Sequence, residues 1–316
     1  MLSLKVLFTY NQPQENIEKI KELGYEVIVK NEKYLELTKD ILDIDAMICY
    51  KPFDKIDISK LKNLKWIQLS SVGIDQVPMD KLREQNITLT NNRGGYSIPM
   101  GEWIVMKILE MLKNSKEFYE KQKNKNWKLD TSLLELYGKK VGFIGTGTIS
   151  IEAAKRLQGF EIETLGLNTN GRKVEYFDKT YSKDNIDELL KVSDIVVVAI
   201  PYTDKTHHMI NKDRFDSMKD GAYLINVARG SIVNEKDLID ALQSNKIRKA
   251  ALDVVETEPL DKNSKLWDLN NVIITPHNSW ISENKGKRRF ETIYENLKRF
   301  KNNDELKNKV NINKGY

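Results

Sequence analysis

One stretch carries most of the information about the fold: Val141-Gly142-Phe143-Ile144-Gly145-Thr146-Gly147-Thr148-Ile149-Ser150. Its first four residues predict a buried strand, and the glycines that follow permit a tight turn. The pattern from Ile151 to Leu157 predicts a helix. A strand, a glycine turn and a helix in this order form the phosphate-binding unit of dinucleotide-binding folds.

Each position of the glycine turn has a physical role in such a unit. Gly145 would make the turn, and Gly147 would let the backbone approach a pyrophosphate at the helix N-terminus, which supplies N–H donors. The third position, usually glycine or alanine, is Ser150, which is small enough for close packing but leaves the fingerprint incomplete. We expect the cofactor phosphates to lie against Gly145, Thr146, Gly147, Thr148 and Ile149.

The second strand of this unit ends at Asn168, where NAD-specific folds usually place a carboxylate that binds the ribose 2′-OH. Asn168 is neutral, and Asn170 and Arg172 would offer donors and a cation to the 2′-phosphate of NADP. Alternatively, Asn168 only caps a turn with Gly171 and tolerates either cofactor. We favour NADP over NAD.

Apolar runs alternate with helical patterns on both sides of this unit, which is typical of parallel sheets flanked by helices. We predict an α/β protein with two doubly wound parallel-sheet domains, a Rossmann NAD(P)-binding domain inserted in a flavodoxin-like substrate domain. Pro99 precedes a long helical pattern from Gly101 to Tyr119, and the last helix, from about Glu283 to Lys301, is expected to return to the first domain. The predicted limits are 1–99 plus 281–316 for the substrate domain and 100–280 for the dinucleotide-binding domain. The six runs predicted as strands of the second domain are 140–144, 164–167, 195–200, 222–227, 250–255 and 272–275.

The composition restricts the classes of function. The chain has 316 residues, of which 40% are hydrophobic, enough for two cores. Its 51 basic and 46 acidic residues are scattered, which argues against nucleic-acid binding. The single cysteine, Cys49, excludes an intrachain disulfide and a cysteine-based metal site. We expect no metal, no membrane segment and a cytoplasmic location, since no basic leader or long apolar run is present.

Three residues with catalytic chemistry each follow an apolar strand pattern, namely Arg229, Glu258 and His277. The carboxyl ends of strands line the ligand crevice of an open α/β sheet, so these side chains are expected to converge. A guanidinium binds a carboxylate with a two-pronged fork, and a histidine oriented by a carboxylate can transfer a proton. Any one of them alone would more often be structural. Together, behind a glycine turn, they predict hydride transfer between NAD(P)H and a 2-keto acid.

The motifs around these residues resemble the D-isomer-specific 2-hydroxyacid dehydrogenase family, which includes glyoxylate/hydroxypyruvate reductases and phosphoglycerate dehydrogenases. The most specific pieces are the Asn-Val-Ala-Arg-Gly run ending at Gly230, the Asp253–Leu260 run, and Thr275-Pro276-His277. The resemblance covers nearly the whole chain. It implies that Arg229 binds and polarises the substrate, that His277 is the general acid/base, and that Glu258 orients His277.

The resemblance also implies the remaining binding residues. The nicotinamide and its ribose are expected at Asp253 and at the backbone around Ile200 and Val227, with Pro201, Thr206 and Ala228 beside them. The substrate carboxylate is expected at the backbone of Ser71, Val72 and Gly73, as well as at Arg229 and His277. The expected substrate is a small 2-keto acid or D-2-hydroxy acid of the glyoxylate/hydroxypyruvate type. A homodimer is expected through the helix around 101–119, whose apolar residues include Trp103, Ile104, Ile108 and Leu112.

The chain departs from the family pattern at Ser150, at Val255 and at Asn278-Ser279-Trp280. Trp280 either narrows the substrate pocket or packs at a hinge. A different class of function is a dinucleotide-sensing corepressor or adaptor on the same fold, without turnover; the intact Arg, Glu and His set and the lack of a basic tail argue against it. Formate or phosphite oxidation is a minor alternative.

Overall fold

The computed structural model describes residues 3–312. The chain divides into two compact units, one comprising the chain up to Tyr96 together with the part from Glu283 onward, and the other Ser97–Ser282. The predicted limits, near Pro99 and residue 281, lie within a few residues of these. Pro99 itself lies in the first turn of a helix, where its missing N–H removes no helical hydrogen bond.

The helices follow in chain order. They are α1 (Gln14–Glu22), α2 (Met79–Glu84), α3 (Ser97–Leu112), α4 (Ser115–Lys123), α5 (Thr148–Leu157), α6 (Ile186–Val192), α7 (Lys212–Ser217), α8 (Glu235–Gln243) and α9 (Lys285–Asn302). No helix within residues 3–312 is both long enough and apolar enough to cross a membrane.

The first unit is built on a parallel sheet whose described strands have the order β2-β1-β3-β4-β5. The strands are β1 (Leu4–Phe8), β2 (Tyr25–Val29), β3 (Ala46–Cys49), β4 (Trp66–Leu69) and β5 (Thr88–Thr90). This is the flavodoxin-like order. Helix α9 returns to this sheet as predicted, because Ile293 and Leu297 pack against Val6, Phe8 and Trp66 in one buried cluster.

The second unit is built on a parallel sheet with the order β12-β11-β10-β9-β6-β7-β8 in the described part of the chain. The strands are β6 (Lys140–Ile144), β7 (Glu163–Asn168), β8 (Lys179–Ser182), β9 (Ile195–Val198), β10 (Ala222–Asn226), β11 (Ile247–Leu252) and β12 (Val272–Ile274). Counted from β6, the strands follow the Rossmann order with one more strand beyond the sixth. The predicted fold class is thereby confirmed.

The predicted runs 195–200 and 250–255 extend beyond strands β9 and β11, which end at Val198 and Leu252. Two further details of the second unit differ from the prediction. Strand β8 was missed, because its sequence is polar and it lies at the sheet edge with only Tyr181 buried. The helix predicted from Gly101 to Tyr119 is two helices, since the chain breaks at Asn114, whose φ of 51° is left-handed. Asparagine tolerates this conformation better than most residues.

The apolar residues expected to form a dimer surface on α3 lie in the core instead. Trp103, Ile104, Ile108 and Leu112 are all buried within the chain. Helix α3 packs tightly along α5, where a Cβ on Gly101 would lie 2.9 Å from the Glu152 carbonyl carbon. Those four side chains stabilise the second unit, so the expectation that they present a surface to a partner was wrong.

Candidate active site

The phosphate loop lies between β6 and α5, at the point where the strand order of the second unit reverses. Gly145 has a φ of 103°, and a Cβ there would lie 2.5 Å from the Ala199 carbonyl oxygen, so only glycine fits. By contrast, a Cβ on Gly147 would meet no atom within 4 Å. Gly147 is also the N-cap of α5. Open space before a helix N-terminus fits the pyrophosphate of a dinucleotide.

The third fingerprint position is occupied by a fully buried serine. Ser150 is 0% exposed, and its hydroxyl has no hydrogen-bond partner in the described part of the chain. At the start of the same helix, the Thr148 hydroxyl accepts a hydrogen bond of 2.8 Å from Ser97 at the start of α3. The helix that presents the loop is therefore fixed to α3 at its first turn.

The Asn168 side chain is engaged in its own turn. Its amide donates to the Arg172 carbonyl oxygen at 2.9 Å, and its oxygen accepts from the Arg172 N–H at 3.1 Å and the Asn170 N–H at 3.4 Å. Gly171 supplies a φ of 72° in this turn. The capping role that the sequence left open is therefore present, and the exposed Arg172 side chain remains near the strand end.

The loop after β9 holds three further predicted cofactor residues, Ile200, Pro201 and Thr206. Gly145 approaches Ile200 closely, since a Cβ on the glycine would lie 2.8 Å from an Ile200 methyl carbon. The Thr206 hydroxyl donates to the Pro201 carbonyl oxygen at 2.9 Å and accepts from the Thr203 N–H at 2.7 Å. These bonds fold residues 201–206 into a compact turn beside the phosphate loop.

Arg229 follows β10 on a loop that the buried Asn226 side chain holds. The Asn226 amide donates to the Arg229 carbonyl oxygen at 3.0 Å and accepts from the Ala228 N–H at 3.0 Å. The Val227 N–H donates to the Val198 carbonyl oxygen at 3.2 Å, which joins this loop to β9. The Asn-Val-Ala-Arg sequence thus fixes the arginine backbone at the carboxyl end of the sheet.

Gly230 allows the arginine loop to contact the loop that carries Glu258. A Cβ on Gly230 would lie 1.9 Å from the Val255 carbonyl carbon and oxygen. No side chain fits at that distance. The glycine after Arg229 is therefore required by the approach of the two loops.

Glu258 and His277 form a hydrogen-bonded pair. Glu258 Oε2 lies 2.8 Å from His277 Nδ1, and Glu258 Oε1 accepts from the Val255 N–H at 3.3 Å. Burial raises the pKa of the Glu258 carboxyl, but the His277 hydrogen bond, the Val255 N–H and the Arg229 charge outweigh it and leave that pKa below its usual value. The carboxylate is thereby kept ionised, and the Arg229 charge lies close enough to act on it.

The loop carrying His277 is held by interactions that the sequence reasoning did not find. His277 has a left-handed φ of 51°, and its N–H donates to the Asp253 carbonyl oxygen at 2.8 Å. The buried Asp253 carboxylate accepts from the Thr275 hydroxyl at 2.6 Å and from the N–H groups of Asn278 and Ser279 at 3.0 and 3.1 Å. Asp253 was predicted as a cofactor residue, and in the structure it also anchors the histidine loop.

Trp280 completes this anchor, because its indole N–H donates to the His277 carbonyl oxygen at 2.8 Å.

A second histidine–glutamate pair was also missed: His208 Nε2 lies 2.6 Å from Glu256 Oε1. Only the three-dimensional structure shows which glutamate of the Glu256-Thr257-Glu258 sequence reaches which histidine.

The predicted substrate loop lies in the first unit, after β4. The Ser71 hydroxyl donates to the Gly73 carbonyl oxygen at 3.0 Å, and Gln76 donates to the same oxygen at 3.3 Å. Within residues 3–312, the N–H groups of Val72 and Gly73 donate no hydrogen bond. Two such donors in a closed turn are suited to an anion.

Similarity to known proteins indicates the family of the chain. Residues 105–279 match the family model described as the D-isomer specific 2-hydroxyacid dehydrogenase, NAD binding domain. The chain belongs to the D-isomer-specific 2-hydroxyacid dehydrogenase family. It is therefore an NAD(P)-dependent oxidoreductase of that family.

Named members of the family match most of the chain. A glyoxylate reductase of Thermofilum pendens is 34% identical over 286 residues, which are 86% of this chain and 84% of that protein. A hydroxypyruvate reductase of Blautia hydrogenotrophica is 30% identical over 282 residues, 84% of each chain. An NADPH-dependent glyoxylate/hydroxypyruvate reductase of Sinorhizobium meliloti, solved with NADP and sulfate, has a TM-score of 0.83 at 25% identity, covering 99% of this chain and 100% of that one.

Proposed function

We propose that the protein is a cytoplasmic dehydrogenase that reduces a small 2-keto acid of the glyoxylate/hydroxypyruvate type to the D-2-hydroxy acid. The observation that carries the proposal is the 2.8 Å pair of His277 and Glu258, with the Arg229 charge acting on the same carboxylate. The relatives named as glyoxylate and hydroxypyruvate reductases support the substrate class.

The residues divide the chemistry between them. NAD(P)H, when bound, supplies the hydride. Arg229 binds the keto-acid carboxylate with its guanidinium fork and polarises the carbonyl. Glu258 is hydrogen-bonded to His277 Nδ1, and in the described part of the chain His277 Nε2 has no protein partner. Nε2 is therefore the atom that delivers the proton to the carbonyl oxygen.

We also propose that the substrate loop binds a carboxylate of the substrate through the N–H groups of Val72 and Gly73. Backbone donors of this kind need no reorganisation when the anion arrives, which favours a fixed orientation of the carbonyl. The hydrogen bonds from Ser71 and Gln76 to the Gly73 carbonyl oxygen hold the loop in shape before binding.

The test of the reaction is a keto-acid panel with NADPH and NADH, run on the wild type and on His277→Gln. We expect the variant to lose about 10²- to 10⁴-fold in kcat, the usual contribution of a general acid. His207→Gln is the matched control, since His207 is exposed and its ring nitrogen lies 3.2 Å from the Tyr202 hydroxyl rather than beside a carboxylate. If the wild type binds the dinucleotide without oxidising it in the presence of any keto acid, the corepressor alternative is favoured and the dehydrogenase proposal fails.

The cofactor proposal is NADP over NAD. It is supported by the neutral Asn168 and by the exposed Arg172. Asn168→Asp keeps an oxygen that accepts from the Asn170 and Arg172 N–H groups, loses the donor to the Arg172 carbonyl oxygen, and adds a charge that repels a 2′-phosphate. We expect kcat/KM to shift toward NADH by about tenfold or more. Asn168→Ser, which disturbs the turn without a charge, should not shift the cofactor ratio. If the ratio of kcat/KM with NADPH to kcat/KM with NADH is the same for wild type and Asn168→Asp, the proposed preference for NADP is refuted.

A further inference from the structure

A cation lies against two aromatic rings at the carboxyl edge of the sheet in the first unit. Arg289, in the first turns of α9, has its guanidinium carbon 5.0 Å from the Tyr10 ring centre and 5.5 Å from the Tyr50 ring centre. Tyr10 follows β1 and Tyr50 follows β3, and their ring centres are 4.9 Å apart. Arg289 Nη1 also donates to the Tyr50 hydroxyl. The guanidinium is thus fixed at this edge by contacts with neutral groups.

The charge of Arg289 is not neutralised by the chain. Within residues 3–312, no carboxylate lies within ion-pair distance of Arg289, whereas Arg83, Arg156, Arg214 and Arg299 each pair with one. Glu32 lies at this edge, and its carboxylate accepts hydrogen bonds from the N–H groups of Tyr50 and Lys51. Aromatic faces stabilise a cation without cancelling its charge. The half-buried guanidinium therefore presents a full positive charge.

The same cluster is bonded to the substrate loop. The Tyr10 hydroxyl lies 2.7 Å from the Ser70 hydroxyl, and Ser70 directly precedes the loop residue Ser71. Gln76 joins the two sides, because its amide donates to the Tyr50 carbonyl oxygen at 3.0 Å and to the Gly73 carbonyl oxygen at 3.3 Å. The positive charge and the open N–H groups of the loop therefore belong to one connected edge of the first unit.

We infer that Arg289 is a specificity-determining residue that binds a second anionic group of the substrate. The inference rests on the proposed function and adds a substrate class to it: the substrate loop binds one carboxylate of the keto acid, and Arg289 binds a carboxylate at its other end. The preferred substrates are then 2-keto dicarboxylic acids. Glyoxylate and hydroxypyruvate, which lack the second carboxylate, are reduced without this contact.

The test compares substrates of equal length that differ only in the distal carboxylate. Oxaloacetate is paired with 2-oxobutyrate, and 2-oxoglutarate with 2-oxopentanoate, for the wild type, Arg289→Met and Arg289→Lys. Lys287→Met is the control, since it removes an exposed charge from the same helix. The wild type should prefer the dicarboxylate in at least one pair, and Arg289→Met should raise the KM for it by about 10- to 100-fold, as expected for a lost charge-assisted hydrogen bond.

The two members of a pair must respond differently to support the inference. For Arg289→Met, kcat/KM with the monocarboxylate member should change little; Arg289→Lys should retain part of the preference for the dicarboxylate, and Lys287→Met all of it. A wild type that prefers the monocarboxylate in both pairs would overturn the inference, as would an equal loss of kcat/KM in Arg289→Met for both members of each pair. Thermal unfolding of each variant identifies a folding defect, and Arg289→Lys keeps the test open if Arg289→Met fails to fold.

A binding measurement separates this inference from the proposed function. With the oxidised cofactor bound, D-malate should raise the unfolding temperature of the wild type more than D-2-hydroxybutyrate does, and this difference should vanish in Arg289→Met. If that holds while no keto acid is reduced, the reaction proposal fails and the Arg289 site stands. If reduction depends on His277 but the two hydroxy acids stabilise wild type and variant alike, the Arg289 site fails alone.

Discussion

Glu258 uses one oxygen for His277 and the other for the Val255 N–H, so its ionised form carries both contacts. The pKa of this carboxyl lies below its ordinary value of 4.5. Because the pKa of Glu258 is lowered in the folded protein, its ionised pairing with His277 is fully present above pH 4.5. The pairing is lost as the pH falls through the folded-state pKa. We predict that Glu258→Gln lowers kcat at neutral pH by about tenfold or more, because the histidine ring loses its ionised partner.

The pH profile distinguishes this role from simple packing. The loss of wild-type kcat caused by protonation of Glu258 should occur below pH 4.5, and it should be absent from the profile of Glu258→Gln. The profile of kcat against pH for both proteins is the measurement. An unchanged kcat in the variant across the whole range would show that Glu258 does not orient the histidine.

Gly230 gives a second prediction at the scale of single residues. A Cβ at this position would overlap the Val255 backbone at 1.9 Å, so Gly230→Ala must separate the arginine loop from the glutamate loop. A displacement of about 1 Å can cost 10²-fold in rate, and we expect a loss of kcat of about that size with little change in cofactor affinity. Gly159→Ala is the control, since its Cβ would meet no atom within 4 Å. Wild-type kcat in Gly230→Ala would contradict the requirement for close approach.

The sequence predicted Arg229, Glu258 and His277 as a set, because each follows an apolar strand and parallel strands bring their carboxyl ends to one edge. It could not predict the hydrogen bond from Trp280 to the His277 carbonyl oxygen. His277 has a left-handed φ, which is uncommon for residues other than glycine and has no signal in the sequence pattern. The same limit applies to Asn168, whose two possible roles differ only in where its amide points.

At the scale of secondary-structure elements, buried strands were predicted well because they are continuous apolar runs. Strand β8 was missed because an edge strand with one polar face has no such run. The break between α3 and α4 was missed because the apolar periodicity continues on both sides of Asn114. Hydrophobic pattern indicates which face is buried, whereas a single left-handed residue decides where a helix ends.

The packing of α3 on α5 gives a prediction for a pair of helices. Gly101 lets α3 approach the α5 backbone, and α5 presents the phosphate loop at its N-terminus. Gly101→Val should lower the free energy of unfolding by about 1–3 kcal/mol, the usual cost of overpacking, and raise the KM for the cofactor. Valine is a better helix former than glycine, so helix propensity cannot account for a loss.

Urea unfolding and cofactor KM values measure both effects. Gly286→Ala is the control, because it adds a methyl group in α9 where no atom lies within 4 Å. If Gly101→Val unfolds at the same urea concentration as the wild type and binds the cofactor equally well, the close approach of the helices does not position the phosphate loop.

At the scale of the whole molecule, the two most exposed large apolar side chains, Trp127 and Leu129, lie close together in the sequence. Trp127 is fully exposed, Leu129 is 84% exposed and Tyr119 is 65% exposed, and the chain from 124 to 139 forms no helix or strand. Met106, on the outer side of α3, is also exposed. Exposed apolar patches mark protein–protein contacts. The buried residues of α3 cannot provide a dimer surface, but this region can.

We therefore predict a homodimer whose interface includes Trp127 and Leu129. The double variant Trp127→Ser, Leu129→Ser should be monomeric at concentrations where the wild type is dimeric, as measured by sedimentation velocity. Trp267→Ser is the matched control, since Trp267 is an exposed tryptophan of the same unit outside this region. A monomeric wild type, or a double variant that sediments as a dimer, would contradict the prediction. The exposed residues of 119–133 would then have to be covered by something other than a second copy of the chain.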